Sequence, residues 1–196
     1  MYQLRHAVRE DLPQMLTVLA PYITGTNVIF DYQVPSLEQF EINFRHYTEQ
    51  LPWIVAVEDE QIAGYAYAAP FFFSRAAYQW NIGLTVYIAD GHQRKGVASV
   101  LYGCLEELLL QLGYYRAYAV ITGTNESSLK FHRMMGYREE GKMPAVGYKR
   151  GSWEDVCFYS KQLKEPTNEP APPFSFDELD AAAVRAVFGS YEQKLQ

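Results

Sequence analysis

The stretch Thr85-Val86-Tyr87-Ile88-Ala89-Asp90-Gly91-His92-Gln93-Arg94-Lys95-Gly96-Val97-Ala98-Ser99-Val100-Leu101 constrains the fold more than any other part of the chain. Trp80 to Ile88 is rich in β-branched and aromatic residues and reads as a strand. From Val97 the apolar residues step to Leu101, Leu105, Leu108 and Leu112, the spacing of one helix face. Between the two lies Gln93-x-x-Gly96-x-Ala98. Small residues at 96 and 98 let a ligand approach the backbone, and the first amides of the following helix have no intrahelical partners. Those amides, with the positive end of the helix dipole, favour an anion such as a pyrophosphate. Arg94 and Lys95 add cationic charge at the same place. Alone, this loop fits an ordinary strand-to-helix turn equally well. No Gly-Lys-Ser or Gly-Lys-Thr follows it, which argues against a P-loop.

At 196 residues, 48% hydrophobic and 20% charged, the chain suits one globular domain with a full-sized core. A net charge of −6 gives no bulk attraction to nucleic acid. Cys104 lies near the apolar face of the 97–112 helix and Cys157 in an apolar-aromatic strand. They form no C-x-x-C pair, so buried thiols are expected and no metal site. With no N-terminal signal and no apolar run of ~18 residues, a soluble cytoplasmic protein is expected.

Tyr2 to Ala7 reads as a first strand, and Asp11-Leu12-Pro13 as a helix start with an acidic N-cap. Turn residues surround Phe30-Asp31-Tyr32, and Ser36-Leu37-Glu38-Gln39 resembles a capping box opening a helix to about Gln50. Trp53 to Val57, a polar turn and Ile62 to Ala69 make a hairpin. Tyr115 to Thr122 is a strand, and Ser127 to Met135 a helix ended by Gly136. Tyr137 onward, Ala145 to Lys149 and Trp153 to Ser160 supply the closing strands. The Pro-rich run Glu165 to Pro173 divides a domain at 1–164 from a C-terminal segment, 165–196. Asp177 to about Phe188 has helical spacing. The sequence leaves open whether it packs on the domain or on a partner subunit.

Gln93-x-x-Gly96-x-Ala98, followed by Asn125 opening a helix that ends at Gly136-Tyr137, resembles the two signatures of the GNAT acetyltransferase superfamily. More narrowly, Pro52 to Ala56, Gly64 to Ala68, Thr85 to Ile88, Leu129 to Tyr137 and Gly147 to Val156 resemble the phosphinothricin N-acetyltransferases. That group includes methionine sulfone and sulfoximine acetyltransferases. The resemblance covers nearly the whole chain through Leu163. It implies an α+β fold in three layers, with a mixed, mostly antiparallel sheet, helices on both faces, and a splay at the central strand. It also implies acetyl transfer from acetyl-coenzyme A to the amine of a small amino-acid-like acceptor, by direct attack in a ternary complex, in a homodimer.

By that resemblance, the backbone of Val86, Tyr87 and Ile88 pairs with the pantetheine arm like an added strand. Gln93, Arg94, Lys95, Gly96, Val97, Ala98 and Ser99 form the pyrophosphate loop, and Asn125 and Ser128 complete the cofactor contacts. His132 stands where many relatives hold a Tyr or His near the thioester sulfur, and is the candidate catalytic residue. A helical histidine is otherwise often structural. Phe30, Phe73, Arg75, Gly83, Thr85 and Tyr148 are the expected acceptor contacts. One departure stands out: relatives carry a Glu, a proposed general base, where this chain has Gly83. That opens a rival of another class, a coenzyme A-binding module without catalysis. A second rival, a peptide N-terminal acetyltransferase, needs an open groove, whereas Phe71-Phe72-Phe73 and Tyr148 to Trp153 suit a small closed pocket.

Overall fold

The computed structural model describes residues 1–71 and 76–195. Among them, seven strands form one sheet: β1 (Gln3–His6), β2 (Trp53–Glu58), β3 (Gln61–Pro70), β4 (Asn81–Ile88), β5 (Arg116–Thr122), β6 (Arg138–Lys149) and β7 (Ser152–Gln162). The helices are α1 (Leu12–Gly25), α2 (Leu37–Thr48), α3 (Val97–Gln111), α4 (Glu126–Met134) and α5 (Ala181–Glu192). The strand order is β1-β2-β3-β4-β5-β7-β6, antiparallel throughout except for β4 with β5. A parallel pair needs a crossover, and α3 supplies it.

Alternation along each strand divides the core in two. Trp53, Val55 and Tyr65 pack with Met15, Leu19, Phe40 and Phe44 of α1 and α2. Ile54, Ala56, Leu84 and Ile88 turn to the other face, against Leu101, Leu105 and Leu108 of α3. The β2–β3 hairpin closes through Asp59 and Glu60, with φ of 49° and 63°. Positive φ at both central residues is the turn whose twist matches the flanking strands.

The capping box on α2 forms as read: Ser36 accepts from the Gln39 amide, and Gln39 accepts from that of Ser36. Asp11 departs from its expected role. It precedes α1, but its carboxylate accepts from both Arg5 guanidinium nitrogens (2.6 and 2.7 Å) and from the Val8 amide. A bidentate guanidinium pair is the stronger use of a carboxylate. The closing strands differ as well. β6 runs unbroken from Arg138 to Lys149, and irregularities at Glu139/Gly141 and Met143/Gly147 absorb what reads in sequence as a gap.

The C-terminal segment lies on the rest of the chain. Trp80 Nε1 donates to the Ala171 carbonyl, and the Phe174 amide to that of Leu112. Helix α5 starts at Ala181, capped by Asp180, and buries Val187 and Phe188 in the α3-side core. Glu192 accepts the backbone N–H of Leu4, an outer-edge donor of β1.

Candidate functional site

Strands β4 and β5 pair only through Asn81–Gly83 and Arg116–Tyr118, then diverge. The register with β3 places the backbone groups of Leu84, Val86 and Ile88 on the edge facing this fork, because Ala89 donates to Ala63 on the opposite side. Two tyrosines already occupy parts of that edge. The Tyr22 hydroxyl donates to the Ile88 carbonyl at 2.7 Å and accepts from its amide at 3.3 Å. Tyr102 reaches the Leu84 carbonyl at 3.5 Å. Val86 lies between them. Of the three residues expected to pair with pantetheine, Val86 presents its backbone to the fork, Tyr87 turns its backbone toward β3, and Ile88 is held by Tyr22.

Beyond the fork's mouth the chain enters the loop that precedes α3. Arg94 and Gly96 both adopt left-handed backbone, with φ of 61° and 85°. Gly96 is the α3 N-cap, and no side chain caps the amides behind it. Gln93, Arg94 and Lys95 are exposed, Ala98 and Ser99 half-buried, and Val97 buried beneath them. Uncapped amides at a helix start, with two cations beside them, form an anion cradle. An added Cβ on Gly96 meets only Leu195, at 3.7 Å. This loop and the open edge of β4 fit a cofactor with a phosphate end and an extended amide-bearing arm.

At the opposite lip, Asn125 caps α4 by accepting from the Ser128 amide, with the Ser127 hydroxyl also donating to it. His132, two turns on, is buried. Its Nδ1 lies 2.8 Å from the Ser128 carbonyl and its Nε2 2.9 Å from the Tyr102 hydroxyl. Both ring nitrogens are thus engaged inside the core, Nε2 through the Tyr102 hydroxyl that also reaches the Leu84 carbonyl at the fork. Burial also pushes the His132 pKa down, against the pull of the Ser128 carbonyl, and favours the neutral ring.

A cavity of about 310 Å³ lies over the α1–α2 face of the sheet, lined among others by Asp31, Tyr47, Trp53, Tyr65, Tyr67 and Tyr87. Trp53 and Tyr67 stack with centroids 4.2 Å apart. The loop between α1 and α2 forms one wall and is firmly anchored. Lys149 donates to the carbonyls of Ile23 and Ile29, both at 2.6 Å. Arg150 donates to that of Thr24, so cations satisfy the C-terminal carbonyls of α1. Thr122 donates to the Asn27 and Val28 carbonyls. Buried Glu154 accepts from Asn27, Ser152 and Thr124, and these bonds hold its carboxyl below the usual range.

Among the expected acceptor contacts, Gly83 and Thr85 lie on the β4 face shared with Tyr87. Phe71 lies across Gly83 and stacks on Tyr118 at 4.1 Å. Phe30 packs on Gly147 so closely that an added Cβ there would come within 2.5 Å of its ring. Tyr148 turns its ring outward against Trp153, 49% and 65% exposed respectively, so these rings do not close the cavity. Phe72, Phe73 and Arg75 lie outside the described residues. The sequence reading missed Asp31, Trp53, Tyr65 and Tyr67 as cavity residues. Alternation around the hairpin was the available signal, since it puts Trp53, Tyr65 and Tyr67 on one face.

Residues 4–158 match the acetyltransferase (GNAT) domain family. A phosphinothricin N-acetyltransferase of Streptomyces viridochromogenes is 32% identical over 171 residues, covering 87% of this chain and 91% of that protein. An L-methionine sulfoximine/L-methionine sulfone acetyltransferase of Salmonella typhimurium is 30% identical over 114 residues, 58% of this chain and 66% of that protein. A GNAT superfamily phosphinothricin acetyltransferase from Sinorhizobium meliloti, solved in complex with acetyl-CoA, superposes with a TM-score of 0.81 at 28% identity. The match covers 89% of this chain and 98% of that one.

Proposed function

From the premise that the chain belongs to the GNAT acetyltransferases and uses acetyl-CoA, we propose that its acceptor is the primary amine of a small amino-acid-like molecule, acetylated directly in a ternary complex. The observation that carries this reading is the fork. Among the described residues it leaves the Val86 backbone unpaired on the fork side, beside a cavity of small-molecule size. The bound cofactor supplies an acetyl group activated as a thioester. Gly96, Val97, Ala98 and Ser99 hold its phosphates, with Gln93, Arg94 and Lys95 around them. Val86 takes the pantetheine arm with help from Asn125 and Ser128, and Tyr87 and Ile88 frame that stretch.

The Val86 amide polarises the thioester carbonyl, and placement supplies much of the rate. Thiol chemistry offers no competing nucleophile among the described residues. Burial pushes the Cys104 pKa up to about 12 and also raises that of Cys157. His132 acts as a positioning residue that holds Tyr102 at the base of the fork. Phe30, Thr85 and Gly83, with Phe71 lying across it, shape the acceptor side.

The setting we propose is the cytoplasm, in keeping with two unpaired cysteines. The assembly is a homodimer through the apolar surface of Met143, Val146, Tyr148 and Trp153 on the β6–β7 hairpin. Light scattering at micromolar concentration should give a dimer mass, and a monomer mass refutes the assembly. The function itself is tested by offering amines and α-amino acids with acetyl-CoA and following free thiol. Amine-dependent release supports it, whereas binding of coenzyme A with no release by any amine leaves the non-catalytic module.

A further inference from the structure

Three segments meet at the open end of the fork: the loop after α1, the turn from β5 into α4, and the start of β7. The side chain they share is Glu154, 5% exposed. Its Oε1 accepts from Asn27 Nδ2 at 2.6 Å and from the Ser152 hydroxyl at 2.7 Å, and its Oε2 from the Thr124 hydroxyl at 2.8 Å. One oxygen thus faces the loop whose next residues, among them Ile29, Asp31 and Val34, line the cavity. The other faces the residue immediately before Asn125. Asn125 commits its Oδ1 to the Ser127 hydroxyl and the Ser128 amide, and its Nδ2 makes no hydrogen bond to a described residue. That nitrogen is the donor left for an amide-bearing arm.

Asn27 and Thr124 both lie outside the strands and helices. Thr122, whose hydroxyl also meets the loop, differs: it ends β5 and pairs with Val156 of β7. It ties the loop to the sheet, whereas Glu154 ties the loop to the turn. No salt bridge among the described residues includes Glu154, so these three donors alone satisfy its charge. Hydrogen bonds to a carboxylate are the shorter and stronger class, and both oxygens belong to one planar group. Displacing the partner of one oxygen is therefore felt at the other.

We propose that Glu154 is a positioning residue that couples the cofactor lip to the cavity wall. Coenzyme A held at Asn125 fixes residues 123–125, the Glu154 carboxylate passes that order to Asn27, and residues 26–34 settle over the cavity before the acceptor arrives. The acceptor then meets a loop already ordered, and linkage requires each ligand to tighten the other by the same factor. The identity of both ligands rests on the acetyl-transfer reading, while the coupling itself is read with coenzyme A alone.

The test is hydrogen–deuterium exchange on the full chain, with and without saturating coenzyme A, whose binding is measured separately by calorimetry. In the parent, coenzyme A should slow exchange across 26–34 by about fivefold or more. Glu154→Ala should still bind coenzyme A, because the phosphate loop is untouched, but lose that slowing. Thr124→Val and Asn27→Ala each remove one arm and leave the Lys149, Arg150 and Thr122 anchors in place, so both should lose it too. Glu154→Gln keeps the shape and one acceptor oxygen, and should retain part of it. A merely structural carboxylate gives another pattern: exchange across 26–34 rises in Glu154→Ala, yet coenzyme A still slows it by the parent's factor. That result overturns the inference, as does a parent that binds coenzyme A with no change across 26–34. A parent that binds no coenzyme A in calorimetry fails one step earlier, in the cofactor reading, and takes the coupling with it.

Discussion

At Gly96 the backbone holds φ 85° at the point where the anion cradle opens. A β-branched residue there carries the strain of left-handed backbone and places methyl groups beside the amides. Gly96→Val should abolish coenzyme A binding by calorimetry while circular dichroism stays native. Unchanged affinity in the folded variant would remove the loop from the account. His132 makes a prediction of a different kind. Burial lowers its folded pKa, as it does for His6, so the unfolded chain takes up these protons first. The associated stability is full above the unfolded value of about 6.5 and is lost as pH falls through the window below it. Denaturant titrations should show stability falling from pH 7 toward pH 5, by at most about 1.4 kcal/mol per unit for each histidine. His132→Gln should flatten that slope, and an equally steep variant would show that another group sets it.

Among the elements, α5 has the most testable position. Gly103 on α3 lies against Tyr191 of α5, and an added Cβ would fall 2.8 Å from the tyrosine ring. Gly103→Leu should therefore displace α5 and expose Val187 and Phe188, whose burial is worth about 1.5–3 kcal/mol each. Thermal denaturation should register a midpoint several degrees lower, and an unchanged midpoint would mean that α5 adds little to the fold. This helix also shows where sequence reading stops. Its apolar spacing was legible, but its seat depends on Gly103 and on an edge amide of β1, neither of which has a local signature. The strand–loop–helix unit and the β2–β3 hairpin were legible because period and turn chemistry are local. Asp31, Trp53 and Tyr65 come together only when the loop after α1 is folded over the sheet. The anchors that fold it, Lys149 and Glu154, lie more than a hundred residues downstream. His132 was legible as a position but not as a partner of Tyr102.

At the scale of the whole molecule, the sheet divides the labour. The fork and the α3 N-terminus lie on one side of β4, and the cavity on the α1–α2 face lies on the other. On the proposed reading, cofactor and acceptor approach the same strand from two directions, and neither has to leave before the other binds. Both cysteines are buried with raised pKa values, so the described chain offers no thiolate to carry an acetyl group between half-reactions. Initial-rate kinetics, varying acetyl-CoA at several fixed concentrations of an accepted amine, test this most directly. The account predicts reciprocal plots that intersect, as a ternary complex requires. Parallel lines, with acetyl-enzyme detected when acetyl-CoA is added alone, would contradict it.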